Sequence, residues 1–560
     1  MNNPLEIETT IEDLDHLGLV AGLIDEIGIV EKINEIVGEQ PGEIVSPGQV
    51  VKAMLLNGLG LVSAPLYLFS KFFSGKATEH LIGEGVRPEH LNDYRLGRVL
   101  DKLYVAGTSL IFAIIALAAA KKFQVNLETG HLDSSSFHLH GEYKLLSPVC
   151  HVSSAEIDPD NSDKSNTNQE TTPVPIKITY GYSRDHRPDL KQFMVDLICS
   201  GDGDVPLFFR VGDGNESDSA VFAQIMQEFK QQFNLDTLMV ADSALYTAPN
   251  LEMLTNIKWL SRVPKSLKQA QQLVSQLKLT DFTPSCLVGY TWSEHHSNYG
   301  GVAQRWLVVE SDSRRESDQR KLTKNIVKNK QESERKLRDL STILFACEAD
   351  AISAAKRLDK QLKYYSLTVI KVVPFTTKVR TNSSDDTNSL TPKFKVTAQL
   401  ELNSSVVHQE TLACGRFILA TNVMDVSQLS PDEMIIKYKE QQSAERGFGF
   451  LKDPLFFTDS VFLKSPERIE ALALVMGLCL LVYTLGQRLL RQSLKQTNST
   501  VNNQLGKPTN RPTLRWIFQC FQSIHCCSQR GLKYISNLTD ERLHILSFFP
   551  QPCRSYYLLI

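Results

Sequence analysis

Polar and apolar positions divide the chain into stretches of different texture. Up to about residue 125 the apolar spacing is helical. Ser46-Pro47-Gly48-Gln49 reads as a capping-box start with proline at the first helical position, leads into Val50–Leu56, and a last helix is predicted over Thr108–Phe123. From His131 the pattern shortens to strand-like runs, His131–Asp133, Ile176–Tyr182, Gln192–Ser200 and Pro206–Val211, with turn signals such as Gly201-Asp202-Gly203-Asp204 between them. A helix over Asp218–Phe233 leads to a strand at Thr237–Ala241, a short helix at Asn250–Thr255 and a strand at Lys258–Val263. This alternation predicts an α/β class.

After Pro264 the pattern changes again. A charged helix is expected at about 313–342, a second at about 349–364, and strands around Tyr365–Val373, Lys393–Leu402 and Arg416–Thr421. Polar stretches at Ser153–Pro175 and Thr381–Thr391 read as loop and linker. Asp432–Lys452 is predicted as one helix with Ser430 as N-cap, followed by a long apolar helix over Ser465–Arg491 and a tail ending in short helices. The boundaries are therefore 1–125 (helical), 126–264 (first part of an α/β core), 265–430 (insert), 431–492 (second part of the core) and 493–560 (basic C-terminal tail).

Composition narrows the class. At 560 residues the chain exceeds one ordinary core. Leu110–Ala120 and Ala471–Leu485 fall short of the roughly 20 residues that span a bilayer, so both are expected as buried helices, with no membrane partner and a cytoplasmic location. Ten cysteines show no C-x-x-C pair and read as reduced thiols. A net charge of −3 argues mildly against a nucleic-acid partner. The distribution restores the idea: residues 471–539 hold eight Lys/Arg and no acid, and Arg314–Lys330 is a second basic run. Either run alone is also what a solvated helix face looks like.

The candidate chemistry rests on three acids. Asp133 and Asp242 each end a strand-like run, and Glu445 sits in the 432–452 helix. At roughly 100° per residue, Tyr438, Gln441, Glu445 and Lys452 fall within about 60° of one another on a single helix face. Taken singly, each Asp is also an ordinary strand-end turn residue and Glu445 an ordinary solvent-facing glutamate. Together they form a hard-oxygen donor set suited to Mg²⁺ or Mn²⁺, and two such ions can support in-line displacement at a phosphodiester. Lys452 would hold a phosphate, and Tyr438 would stack on or hydrogen-bond to DNA. Asp202, Asp204 and Asp213 read as turn formers in glycine turns, and His138-Leu139-His140 as structural.

The spacing Tyr438-(2)-Gln441-(3)-Glu445-(6)-Lys452 resembles the Tyr-(2)-Arg-(3)-Glu-(6)-Lys signature of DDE transposases of insertion-sequence family four, with Gln441 in place of the arginine. Gly181–Gln192 and Gly214–Asp218 are similar to stretches in a branch of that family with a helical N-terminal domain. The order of three strands, helix, strand, helix, strand is that of a ribonuclease-H-like core. The resemblance implies such a core carrying a β-rich insert, preceded by an all-helical domain and followed by a helical C-terminal region. It also implies Asp133, Asp242 and Glu445 as metal ligands, with two Mg²⁺ or Mn²⁺ ions. The expected activity is cleavage at the terminal inverted repeats of an element and strand transfer to target DNA, by a homo-oligomer, expected as a dimer. The alternative is a catalytically inactive DNA-binding protein derived from a transposase. DNA contacts are expected from Tyr438, Gln441, Lys452, Arg488 and Arg491, within the basic segments 314–330 and 488–533.

Overall fold

The computed structural model describes residues 9–62, 64–141, 143, 173–376, 392–454 and 463–559. The polar loop expected over 153–175 falls almost wholly outside these residues, as does the linker at 381–391. The chain forms two compact units, one of residues 1–261, 300–302 and 436–560, the other of 262–299 and 303–435.

The first unit begins with a strand, β1 (Thr9–Asp13), and a set of helices. The Pro47–Gly58 helix starts as its sequence predicts: the Ser46 hydroxyl accepts from the Gln49 backbone N–H, and the Gln49 side chain accepts from Ser46 N–H at 2.9 Å. The helix Thr108–Lys122 is not buried all round. Ile111, Phe112, Ile115 and Ala119 are buried, while Leu110 and Ile114 are exposed.

A sheet follows, built from β2 (Thr129–Leu139), β3 (Lys191–Ser200), β4 (Pro206–Gly212), β5 (Leu238–Ala241) and β6 (Trp259–Arg262), in the spatial order β4-β3-β2-β5-β6. β3 runs antiparallel to β2 and β4, whereas β5 runs parallel to β2 and β6. The helix Asp218–Phe233 joins β4 to β5 with the bounds expected from sequence, and burial of Phe222, Ile225, Met226 and Phe229 defines its inner stripe. The strand expected over Ile176–Tyr182 does not form. Thr179 makes one bridge to Gln192, and the rest is irregular chain held by backbone bonds to neighbouring loops.

The long helix Pro466–Gln496 lies against β4 and the N-terminal helices Pro47–Gly58, Asp93–Ala106 and Thr108–Lys122. Its 31 residues include a window long and apolar enough to cross a membrane, but 78% of that window is buried inside the protein. Each fully buried leucine, such as Leu474, Leu478, Leu481 and Leu485, contributes roughly 1.5–3 kcal/mol. Gly477 faces the Phe209 ring of β4, where an added Cβ would lie 2.7 Å from ring carbon.

The C-terminal residues do not form a tail of helices alone. The hairpin His525–Gln529/Leu532–Ser536 adds to β1 from Thr9↔Gln529 to Asp13↔His525, and the last helix, Gln551–Leu558, packs on the first, Leu17–Ile27.

In the second unit, strands Thr283–Pro284, Tyr290–Tyr299, Val302–Ser311 and Arg416–Thr421 form sheet, and Tyr365–Thr376 pairs with Pro392–Leu402 in a separate hairpin. The hairpin over 290–311, turning at Gly300-Gly301, was not among the expected strands. Helices Asp312–Thr342 and Glu348–Asp359 cover the second hairpin through Leu340, Ala351, Ala355, Leu358, Leu367 and Val396.

Candidate active site

Asp133 lies in the middle of β2, not at its end. Ser134, Ser135 and Ser136 continue the strand because their partners on β3 take them in register through Leu139↔Lys191, and the Ser134 hydroxyl donates to the buried carboxylate of Asp196. Asp242 follows the last residue of β5, as expected; its Oδ1 accepts the Ala244 N–H at 2.8 Å and its carbonyl accepts the Ser261 hydroxyl at 2.7 Å. The parallel register pairs Thr129↔Leu238, Gly130↔Met239 and His131↔Val240. Two residues further on, the same register sets Asp133 beside Asp242.

Asp133 feels the charge of Asp242. The Asp133 pKa is raised to about 6, first by burial and then by the charges of Asp242 and Asp218; Arg184 and the Ser134 N–H pull in the opposite direction. Arg184 lies between acids: Nη1 is 3.5 Å from Asp133 Oδ1 and also donates to the Ser134 carbonyl, and Nη2 donates to Asp218. The Asp218 carboxyl is likewise held above its usual range, mainly by burial, with Asp242 and Asp196 adding to the effect. Neither Arg184 nor Asp218 was singled out by sequence reasoning, although both stand in the two stretches that carry the resemblance. Those stretches meet in space. An added Cβ on Gly181 would lie 2.0 Å from the Gly214 carbonyl oxygen, so only glycine allows the approach.

His131 is two residues before Asp133 and so shares its face of β2. It is fully buried, and neither ring nitrogen has a hydrogen-bond partner among the described residues. Burial, followed by the Lys437 charge, lowers its pKa to about 4, which keeps the ring neutral.

The segment expected as one helix over 432–452 is two, Pro431–Lys439 and Gln442–Leu451. At the joint the backbone bonds shorten to three-residue steps, Gln441 N–H to Tyr438 and Ser443 N–H to Glu440, a 3₁₀ pattern that resets the phase. The single-face arrangement of Tyr438, Gln441, Glu445 and Lys452 is therefore interrupted between its second and third members. The second helix continues through Gly447 and Gly449 to Leu451, and Gly447 packs beside Leu197 and Leu480.

The second helix lies over β2 and β3 with Ser443, Ala444, Gly447 and Phe448 inward. Glu445 is exposed and forms no side-chain hydrogen bond or ion pair among the described residues. Its neighbour Arg446 makes a two-pronged contact with Asp204, at 2.7 and 2.6 Å, and Arg488 reaches Asp202 at 2.5 Å. The turn aspartates thus anchor helices, a role their glycine-rich setting did not reveal. Lys452 pairs with Asp185 at 2.7 Å and stands over the Phe137 ring. His138 holds the same loop through Ser183 Oγ at 2.9 Å. Beside this end of β2 is a cavity of about 780 Å³ whose lining includes Tyr67, Phe137, His138, Asp185, Lys452 and Arg468.

Of the basic residues expected to meet DNA, Arg488 is buried and donates to the Phe123 and Gln124 carbonyls as well as Asp202. Arg491 is partly exposed; Nε donates to the Pro512 carbonyl at 2.9 Å, and burial followed by the Arg511 charge lowers its pKa.

Residues 132–484 match the family model described as Transposase DDE domain, and this span holds Asp133, Asp242 and Glu445. The chain belongs to the DDE transposase family. Residues 9–117 of the transposase match a domain of unknown function, DUF4277. No curated protein matches the transposase. Among solved structures, a piggyBac transposase synaptic complex with hairpin DNA is similar at 8% identity and a TM-score of 0.36, over 98% of this chain and 84% of that one. A likeness at that level transfers no residue role.

DDE transposase domains generally use divalent metal ions. The donors of this transposase fit such an ion in part: Asp133 and Asp242 offer hard oxygens side by side, and the Asp242 charge adds to the cost of ionising Asp133. Glu445 is not drawn in with them, and no group of three or more His, Cys, Asp or Glu placed to hold a metal occurs among the described residues.

Proposed function

We propose that the protein is an active transposase of the insertion-sequence family four type, with a ribonuclease-H-like core, that cleaves DNA at the ends of its element and joins the freed ends to target DNA. The register that sets Asp133 beside Asp242 carries this reading. The β4-β3-β2-β5-β6 order, with β3 alone antiparallel, supports the core assignment. In the reading, Asp133 and Asp242 hold divalent cation, Mg²⁺ or Mn²⁺, and Glu445 completes the set. Bound there, a pair of such ions would favour a nucleophilic oxygen and stabilise a leaving oxygen.

The remaining residues act on DNA directly. Lys452 exchanges Asp185 for a phosphate, Gln441 donates its amide to a phosphate oxygen without adding charge, and Tyr438 packs against the DNA. The active form is a homodimer assembled on terminal inverted repeats.

A second reading, a DNA-binding derivative without catalysis, draws on Gln441 in the arginine position and on the separation of Glu445 from the aspartates. Purified protein incubated with element-end DNA and Mg²⁺ separates the two. The first reading expects strand breaks and joined products, lost in Asp133→Asn, Asp242→Asn and Glu445→Gln while gel-shift binding persists. Binding with no cleavage by the unaltered protein would establish the second reading.

A further inference from the structure

Arg184 is the guanidinium between two carboxylates, Asp133 and Asp218, and the charge of a third, Asp242, falls on both of them. The guanidinium is held unevenly. Nη2 is tied to Asp218, and Nη1 donates to the Ser134 carbonyl, but the contact from Nη1 to Asp133 is a single reach of 3.5 Å. The arginine is thus anchored by Asp218 and the strand backbone, and leans on Asp133. Asp242 has no ion pair among the described residues, so the cluster carries more negative charge than one guanidinium neutralises.

We infer that Arg184 is the built-in counter-ion of this acid cluster, parked on Asp218 so that it compensates Asp133 before a divalent cation arrives and releases it when one binds. The inference rests on the reading of Asp133 and Asp242 as cation ligands. Its physical content is a competition between two cations for one carboxylate. The guanidinium lowers the repulsion among the acids in the metal-free protein, and that same positive charge opposes an incoming ion. Asp218 controls the balance by keeping the arginine from closing fully onto Asp133. Arg184 is then a positioning residue, and no bond to DNA is required of it.

The test is thermal unfolding of the full-length protein in EDTA and across a MnCl₂ titration at constant ionic strength, for the unaltered chain and for Arg184→Met, Arg184→Lys and Asp218→Asn. Arg187→Met is the control, because Arg187 lies on the same loop in an exposed pair with Asp189. Removal of the competing charge should lower the Tm of Arg184→Met in EDTA and reduce its half-saturating Mn²⁺ concentration by about tenfold, as one unit charge a few ångströms away warrants. Arg184→Lys should lie between, Asp218→Asn should need more Mn²⁺ than the unaltered protein, and Arg187→Met should respond as the unaltered protein does. A Mn²⁺ response in Arg184→Met equal to or weaker than that of the unaltered chain overturns the inference while leaving the cation site in place. No Mn²⁺ response in any of the proteins overturns the site and the inference together.

Discussion

Asp133, on β2, and Asp242, just past the end of the parallel strand β5, each lie two residues beyond the His131↔Val240 pair that ends the ladder. Burial of Asp133 makes its charge costly, and because neighbouring strands are only about 4.8 Å apart the Asp242 charge adds to that cost. The Asp133 pKa lies at about 6 instead of its usual 3.8. A raised carboxyl pKa means that the native state binds this proton more tightly than the unfolded chain. Its contribution to stability is complete below the unfolded value and is lost as pH rises through about 6.

Asp133→Asn removes that loss. Without divalent cation near neutral pH the variant should be more stable than the unaltered protein by roughly 2–3 kcal/mol, at about 1.36 kcal/mol per pKa unit. The difference should vanish at about pH 4. Urea midpoints across this pH range check it, and a variant equally stable at neutral pH would mean that burial does not penalise the Asp133 carboxylate. Cleavage activity should be lost in the same variant, which makes this acid costly to the fold and necessary to the chemistry.

The contact of Arg446 with Asp204 fixes the helix next to Glu445, so it should govern activity without touching substrate. Asp204→Asn keeps the side-chain size but removes the charge that holds the guanidinium fork. Because the pair is partly exposed, stability should fall by no more than about 1 kcal/mol. Mg²⁺-dependent end cleavage should fall about tenfold, the effect of misplacing a ligand by a fraction of an ångström. Single-turnover cleavage alongside melting curves separates the two effects. An unaltered cleavage rate would show that the helix needs no such anchor.

How much of this was legible in the chain differs by element. The helix Asp218–Phe233 was readable because its apolar stripe and the left-handed Asn234 that ends it are both local features. Asp133 was misplaced at a strand end because Ser134–Ser136 carry no apolar signal; they are extended only because β3 pairs with them and Asp196 accepts from Ser134. The break between Tyr438 and Glu445 has no glycine or proline to mark it. Arg184 stands inside the Gly181–Gln192 stretch but had no role there, since its partners Asp133 and Asp218 lie 51 and 34 residues away. The union of β1 with the hairpin at 525–536 joins segments more than 500 residues apart, beyond the reach of any local pattern.

Arg488 and Arg491 are one turn apart on the same helix yet have opposite settings, which predicts opposite phenotypes. Arg488→Ala deletes a buried guanidinium and leaves the Phe123 and Gln124 carbonyls and the Asp202 carboxylate short of a donor. It should lower stability by about 3 kcal/mol, as loss of one partner of a buried pair does, without changing the salt dependence of DNA binding. Arg491→Ala should leave the melting temperature nearly unchanged. It should weaken DNA binding and reduce the slope of log affinity against log salt by about 1, the signature of one lost phosphate contact. Filter binding over a salt series reads both. An unchanged slope for Arg491→Ala would remove that residue from the DNA interface.

The C-terminal residues are part of the N-terminal fold, and Tyr557 is the sharpest probe of that union. Its ring is buried against Gly18, where an added Cβ would lie 2.8 Å away, and its hydroxyl donates to the Asp15 carbonyl at 2.6 Å and accepts the Leu19 N–H at 3.1 Å. Tyr557→Phe keeps the packing and leaves two buried backbone groups with one partner fewer, a loss of about 1–3 kcal/mol. Tyr557→Ala adds a cavity and should cost about 3–5 kcal/mol. Removal of residues 551–560 exposes the Leu17–Ile27 helix face, including Gly22, which lies against the Cys553 backbone, and should yield protein that aggregates on expression. Denaturant unfolding of the point variants and sedimentation of the truncated chain measure these effects. A truncated chain that stays monomeric with an unchanged melting temperature would show that the last helix is dispensable, against the burial of Cys553 and Tyr557 in this structure.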